Sequence, residues 1–342
     1  MMEESRQPEV IHFQRRQRTE GNFSLEFIFE DVRENLAGKI NFKVVYAKYF
    51  SNGIFKRLAN MLDSVKHQSD INHVTGDIHY INLLFDKNKT ILTVLDCGFM
   101  YLGNAIGRSI YKLFWLTLPE KKSKYITAIS TATKSEIVKF TGCDPSKVFV
   151  IPVAVSNLYQ PRFKEFNAQC PVLLQIGTSS NKNIARLVEG ISGIDCKLVI
   201  IGRVDPVLKK HLEYHRINYI NKVNLSMDEL YGEYVNCDIV TFISTFEGFG
   251  MPIIEGNCVE RVVITGNTTS MPEVGGNAAH YVDPFSVDEI RKGMQRLITD
   301  GKYRESLIEN GRKNKLRFSN EKIANMYYDL YLKLWNENLG KA

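Results

Sequence analysis

From residue 170 onward the chain alternates short β-rich apolar runs with longer helical stretches, and this alternation leaves few folds open. The apolar runs fall at 171–177, 197–202, 238–244 and 261–266. Runs this short and this apolar fit strands buried on both faces, which occur where helices cover a parallel sheet. Ser226 with Glu229, and Ser286 with Glu289, have the three-residue spacing of capping boxes that open helices. Pro252 stands where a first helical position tolerates a missing N–H. The expectation for this half is a doubly wound α/β domain.

The first half carries weaker signals of the same kind. Strands are expected at 9–13, 42–46, 91–95, 125–129 and 148–153, with a helix over 130–141 closed by Gly142. The polar stretch 156–171, with two prolines, reads as a linker. Residues 319–334 place Ile323, Met326, Tyr327, Leu330, Tyr331 and Leu334 on one helical face, as a helix docked on the protein would. A helix lying on a membrane surface is the alternative.

At 342 residues the chain is long for one core, so two domains are expected, with the site in the cleft between them. Hydrophobic residues at 44% and charged residues at 24% exclude a disordered or fibrous chain. No apolar run approaches the roughly 20 residues of a membrane helix. The opening MMEESRQPEV has acids where a secretion signal needs a basic stretch before an apolar one, so a cytoplasmic location is expected. Cys97, Cys143, Cys170, Cys196, Cys237 and Cys258 show no C-x-x-C spacing, which argues against a zinc site or a disulfide framework. A net charge of +6 suits an anionic surface, lipid or phosphate, and its densest clusters are Arg15, Arg16 and Arg18, then Lys121, Lys122 and Lys124. The lysines fit a solvated face equally well. The basic residues are dispersed and no nucleic-acid module is present, so no nucleic-acid partner is expected.

One stretch joins this architecture to chemistry. TFEGFGMPIIEG, from Thr245 to Gly256, follows a strand, turns at Gly248 and Gly250, and opens a helix near Pro252. Unpaired N–H groups at a helix start, aligned with its dipole, bind anions, so a phosphate fits near Gly250 and Met251. Glu255 then lies within reach of ribose hydroxyls, and Glu247, at the strand end, within reach of a second sugar. On spacing alone the two acids could equally be a loop charge and a favourable first-turn acid.

The stretch resembles the Glu-x7-Glu signature of the retaining glycosyltransferases of family 4, and the resemblance runs from about His73 to Trp335. It implies an α/β chain of the GT-B fold, two Rossmann-like domains facing across a cleft. The implied divisions are 1–158 for the acceptor, 168–318 for the nucleotide sugar, and 319–342 as a helix packing back on the first domain. QIGTSSNKN, residues 175–183, is similar to the family's donor-diphosphate loop, with Lys182 at its lysine and Thr178 where many members carry arginine. The resemblance thus implies Glu247 and Lys182 as catalytic residues, and Gly177, Thr178, Lys182, Phe249, Gly250, Met251 and Glu255 as donor contacts. SMPEVGGNAAHYVDP, YITAISTATKSEI and FSNEKIA are similar to supporting segments, and Glu273 in the first reads as structural. HVTGDIHYINLL, from residue 73, resembles a loop of polysaccharide-assembly members and offers Asp77 and His79 on the acceptor side, unless His79 is simply buried and hydrogen-bonded. In TVLDCG the family's frequent histidine is replaced by Leu95, leaving Asp96 as a further acceptor-side candidate.

The implied reaction moves a hexosyl or N-acetylhexosaminyl group from a nucleotide diphosphate sugar, UDP before GDP, to a sugar hydroxyl with retention. The acceptor suggested by the resemblance is a glycan or lipid-linked oligosaccharide of bacterial O-antigen or lipopolysaccharide assembly, met at the inner membrane face. Arg15, Arg16 and Arg18 would lie near its phosphates. No cofactor and no metal are expected, since the sequence has no Asp-x-Asp to hold a divalent ion on the diphosphate. Paired-carboxylate glycosidase chemistry, an epimerase or hydrolase on the same scaffold, and a non-catalytic nucleotide-sugar-binding subunit are the other readings.

Overall fold

The computed structural model describes residues 6–16, 24–101 and 104–339. These divide into two compact units, one of residues 1–154 and 320–342 and the other of residues 155–319.

The second unit holds a parallel six-stranded sheet in the order β12-β11-β10-β7-β8-β9. Its strands are β7 (Val172–Ile176), β8 (Lys197–Ile201), β9 (Tyr219–Lys222), β10 (Ile239–Phe242), β11 (Val262–Gly266) and β12 (His280–Val282). The four expected apolar runs supply β7, β8, β10 and β11, and short helices cover both faces. β9 escapes a hydropathy reading because Tyr219–Lys222 is an edge strand with no fully buried residue. The Ser226 capping box forms in both directions. At Ser286 only half of the expected box is present. Its hydroxyl accepts from the Glu289 N–H at 3.2 Å, while the Glu289 carboxylate accepts from the Asp283 N–H at 2.8 Å and closes a different turn.

The first unit has its own parallel sheet, ordered β2-β1-β3-β4-β5-β6. Its strands are β1 (Glu9–Gln14), β2 (Asn41–Tyr46), β3 (Ile71–Val74), β4 (Thr90–Val94), β5 (Tyr125–Ala128) and β6 (Val148–Val150). His73, expected to begin a loop, lies instead inside β3 with its ring buried, because two flanking strands and the last helix enclose it. The helix Thr131–Thr141 ends as expected on Gly142, whose φ of 70° is left-handed.

The helix Asn320–Leu339 completes this unit. Ile323, Ala324, Tyr327, Leu330, Tyr331 and Leu334 join one core cluster with Val10, Phe29, Ile71 and Ile91. At its centre the Tyr331 hydroxyl meets His12 Nε2 at 2.9 Å and His73 Nδ1 at 2.7 Å, and Thr93 closes the far side of His73 at 2.7 Å. Burial holds both imidazoles neutral, pushing His73 down to about 3. All six cysteines are free, and Cys97, Cys196, Cys237 and Cys258 are buried packing residues. Among the described residues no helix is long and apolar enough to cross a membrane.

Candidate active site

In the second unit the strand order reverses between β7 and β10, and ligands of open α/β sheets bind beyond the strand ends at such a reversal. The loops that follow these two strands carry the donor-side residues expected from sequence. After β7 the chain turns at Gly177, whose φ is +82°. The Lys182 side chain lies across it so closely that a Cβ there would stand 3.0 Å from Lys182 Cε. Asn183, left-handed at φ 58°, donates to the carbonyls of Ile243 at 3.1 Å and Pro284 at 2.6 Å, tying this loop to the end of β10.

After β10 a turn runs to Gly250 at φ +120°, and the helix Met251–Cys258 begins there with Pro252 in its first turn. A side chain at Gly250 would press on Ile253 and on the Phe242 ring, at 3.1 and 3.3 Å. Gly250 and Met251 present their N–H groups ahead of the first intrahelical bond, and Pro252 has none to offer. A second loop, whose Ser270 opens the supporting segment SMPEVGGNAAHYVDP, holds the turn in place. Thr269 Oγ1 accepts from the Glu247 N–H at 3.1 Å, and Ser270 Oγ donates to the carbonyls of Glu247 at 3.0 Å and Phe249 at 2.6 Å.

Glu247 and Lys182 meet directly. Lys182 Nζ lies 2.6 Å from Glu247 Oε1, with Asn181 Nδ2 donating to the same oxygen at 3.2 Å and the Phe242 ring 4.7 Å from the ammonium. Both side chains are mostly covered, 19% and 14% exposed for Lys182 and Glu247. A covered ion pair of this kind can change partners, so an arriving diphosphate would take the ammonium while a sugar hydroxyl takes the carboxylate.

Glu255 keeps part of its residue surface, but its carboxyl group is enclosed. It accepts from the Tyr234 hydroxyl, and the Tyr159 hydroxyl, which has no bond of ordinary length, lies near enough to favour the charged form too. Burial outweighs both tyrosines and the Lys182 charge, and the carboxyl is pushed up to about 7. The Ser244 hydroxyl, at the end of β10, is buried with no partner among the described residues.

Thr178 packs against Gly202, where a Cβ would stand 3.0 Å from its methyl carbon. The residue after Gly202 is Arg203, exposed at the end of β8. The β7–β8 register, pairing Ile176 with Ile201, thus sets the Arg203 backbone next to the Thr178 loop. Its signal in the sequence, IGRVDP after an apolar run, was visible but unaligned.

The acceptor-side candidates among the described residues lie in the first unit, where the charges of Asp77 and Asp96 both act on the His79 ring. Arg15 Nη1 and the Asp77 carboxylate are 3.4 Å apart, so two of them pair with each other. Arg16 donates to the Lys48 carbonyl at 2.7 Å and stacks on Phe50, while Arg18 lies outside the described residues. His79 is buried and its Nδ1 meets the Trp115 carbonyl at 2.5 Å, the simpler of its two expected roles. Burial lowers its pKa. Asp96, exposed, accepts from the Gly98 N–H at 2.7 Å in a local turn. Gln14 was missed: it ends β1 at this sheet's own reversal, is 4% exposed, and neither amide atom has a partner among the described residues. Glu273 lies on the short helix Met271–Gly275, and its backbone carbonyl accepts from Arg317 at 3.0 Å.

Residues 160–314 match the family described as Glycosyl transferases group 1. The O-antigen chain mannosyltransferase B of Escherichia coli is 28% identical over 233 residues, 61% of this chain and 60% of that protein. The N-acetylgalactosamine-N,N'-diacetylbacillosaminyl-diphospho-undecaprenol 4-alpha-N-acetylgalactosaminyltransferase of Campylobacter jejuni is 25% identical over 256 residues, 69% of this chain and 68% of that one. Several of the curated relatives are thus matched over only about three fifths of their length. Among solved structures, Anabaena HepE in complex with UDP and glucose superposes with a TM-score of 0.78 at 13% identity, covering 95% of this chain and 100% of that one. The two six-stranded parallel sheets and the likeness to HepE make this a GT-B fold, and residues 160–314, which carry Lys182, Glu247 and Glu255, match the glycosyl transferases group 1 family.

Proposed function

We propose that the chain is a retaining glycosyltransferase that moves a hexosyl or N-acetylhexosaminyl group from a nucleotide diphosphate sugar to a sugar hydroxyl of a lipid-linked acceptor in bacterial O-antigen or polysaccharide assembly. The observation that carries the reading is the Lys182–Glu247 contact at the strand reversal, with the Gly250 turn and the enclosed Glu255 on the same strand end. In this assignment Glu255 accepts from ribose hydroxyls and Glu247 from the donor sugar. The N–H groups of Gly250 and Met251, with Gly177, Thr178 and Phe249 shaping the pocket, hold the diphosphate beside Lys182. The bond from the anomeric carbon to the diphosphate oxygen breaks, the acceptor oxygen bonds that carbon on the same face, and the acceptor's proton passes to the departing phosphate. Charge on the leaving group falls on Lys182 and Arg203, and each well-placed donor of this kind contributes roughly 3–4 kcal/mol in acyl-transfer sites.

A UDP-sugar is the first expectation and a GDP-sugar the second. Support comes from HepE, solved with UDP and glucose, and from the mannosyltransferase and N-acetylgalactosaminyltransferase names of the relatives. The diphospho-undecaprenol acceptor in the Campylobacter name favours a lipid-linked acceptor, with Gln14, Arg15, Asp77 and Asp96 on that side and the protein working at the inner membrane face. The test is a screen of UDP- and GDP-sugars for thermal stabilisation, about 2.7 kcal/mol at one hundred times Kd. Product analysis with a lipid diphosphate-linked glycan follows, in excess EDTA. A product of retained configuration, formed equally with chelator, supports the assignment. Donor consumption without acceptor would favour a hydrolase or epimerase, and binding without turnover a non-catalytic subunit.

A further inference from the structure

Of the twenty-three large apolar side chains exposed among the described residues, fourteen lie between Tyr46 and Phe114 in the first unit. Single exposed apolar residues are ordinary, but these fall in rows. On the helix Ile54–Ser64, Ile54, Leu58 and Leu62 recur every fourth residue, with Phe55 beside them. On the helix Ala105–Tyr111 and the π-helical turn that continues it, Ile106, Ile110, Leu113 and Phe114 form a second row. Phe55 is 88% exposed and Ile106 75%. The two elements are neighbours, since the Arg57 guanidinium stacks on the Trp115 ring at 4.6 Å and Tyr111 packs on the same ring at 4.8 Å. Tyr49 and Phe50 extend the surface toward Arg16, which lies over Phe50.

Charge separates the possible occupants. Residues 47–62 carry Lys48, Lys56 and Arg57 and no acid, and residues 105–118 carry Arg108 and Lys112 and no acid. A protein interface of this size would ordinarily deplete lysine from its centre. Lys48 is paired with Asp63 at 2.6 Å, but exposed apolar rows interleaved with Lys56, Arg108 and Lys112 are instead the composition of helices that lie in the headgroup layer of an anionic bilayer.

We propose that the face built by residues 49–62 and 105–114 docks on an anionic lipid surface, its apolar rows entering the headgroup region and its basic residues meeting lipid phosphates. The inference deepens the lipid-linked-acceptor reading without depending on it, because binding is measured with no donor or acceptor present. The experiment is co-sedimentation of the full chain with vesicles of phosphatidylglycerol and phosphatidylcholine, and with phosphatidylcholine alone. Binding to the mixed vesicles is expected, at least tenfold weaker on phosphatidylcholine and reduced by high salt. Phe55→Ser with Ile106→Ser should abolish it, while Lys56→Gln with Lys112→Gln should weaken it about fivefold for each charge removed. Circular dichroism of each variant distinguishes lost docking from lost folding, and Phe163→Ser, at an exposed position of the second unit, should bind as the parent does. The proposal is overturned if the parent stays in the supernatant, if the Ser variants sediment equally, or if light scattering shows this face closing a dimer that excludes vesicles. Failure here with transfer to soluble glycans intact would leave the catalytic assignment standing.

Discussion

Replacing Glu255 with glutamine should make the protein more stable and less able to hold its donor at the same time. The enclosed carboxyl group is pushed from 4.5 up to about 7, so ionising it costs the folded state something the unfolded chain does not pay. An acid whose folded pKa is raised stabilises the fold below its unfolded value and loses that contribution as pH climbs through the folded one. The window is therefore pH 4.5 to about 7. A shift of this size amounts to about 3 kcal/mol at pH 8 and under about 1 kcal/mol at pH 5. Glutamine keeps the shape and cannot ionise. Relative to the parent, Glu255→Gln should gain about 2–3 kcal/mol between pH 5 and pH 8, or roughly 4–10 °C in the melting temperature of a unit this size. The amide has one acceptor oxygen where the carboxylate has two, so stabilisation by nucleotide sugar should largely vanish in the same variant. Differential scanning fluorimetry at both pH values, with and without donor, reads the two effects together. A melting difference that does not change with pH would refute the enclosed-carboxylate argument, and full donor stabilisation of the variant would refute the ribose assignment.

Opposite pH behaviour is expected of the first unit: burial drives His73 down to about 3 and His12 below its ordinary value, so its stability should fall as pH drops from 6.5 toward 3, by about 2 kcal/mol at pH 5. Thermal scans should show one transition rising and one falling on acidification from pH 7.5 to 5. Lys182→Ala should lower kcat on the order of 10²- to 10³-fold with a smaller change in donor binding, and Arg203→Ala should weaken donor binding about tenfold, both read by steady-state kinetics. Gly177→Ala combines a left-handed φ with a Cβ 3.0 Å from Lys182 Cε, so it should lose about 1–2 kcal/mol in a denaturant titration and a larger share of its activity.

The second unit was legible because its signals are local. An apolar run of five residues followed by glycine gave β7 and β11, and Gly250 with Pro252 gave the helix start, each within a few residues of sequence. The acids were legible as candidates but not as an arrangement. That Lys182 touches Glu247 depends on β7 and β10 being neighbours, a pairing between segments some sixty residues apart that periodicity cannot express. Arg203 was hidden for the same reason. In the first unit, β3 was masked because INHV mixes apolar and polar residues, and its His73 is satisfied only by Tyr331 and Thr93 from distant segments. Arg15 and Asp77 were legible singly, while their mutual pairing was not.

The last helix also fixes an order of events during synthesis. The Val155 N–H bonds the Phe318 carbonyl at 3.1 Å, so residues 155–319 close upon themselves as one uninterrupted segment. The other unit waits for the 20-residue helix Asn320–Leu339 to bring Tyr327, Tyr331 and Leu334 to a core begun by Val10. At about 5–20 residues per second, the ribosome holds that core open for on the order of ten to forty seconds after residue 154 has been made. During that interval His12 and His73 lack the hydroxyl they share, and a chain stalled before residue 320 would present an unfinished hydrophobic wall to chaperones and proteases.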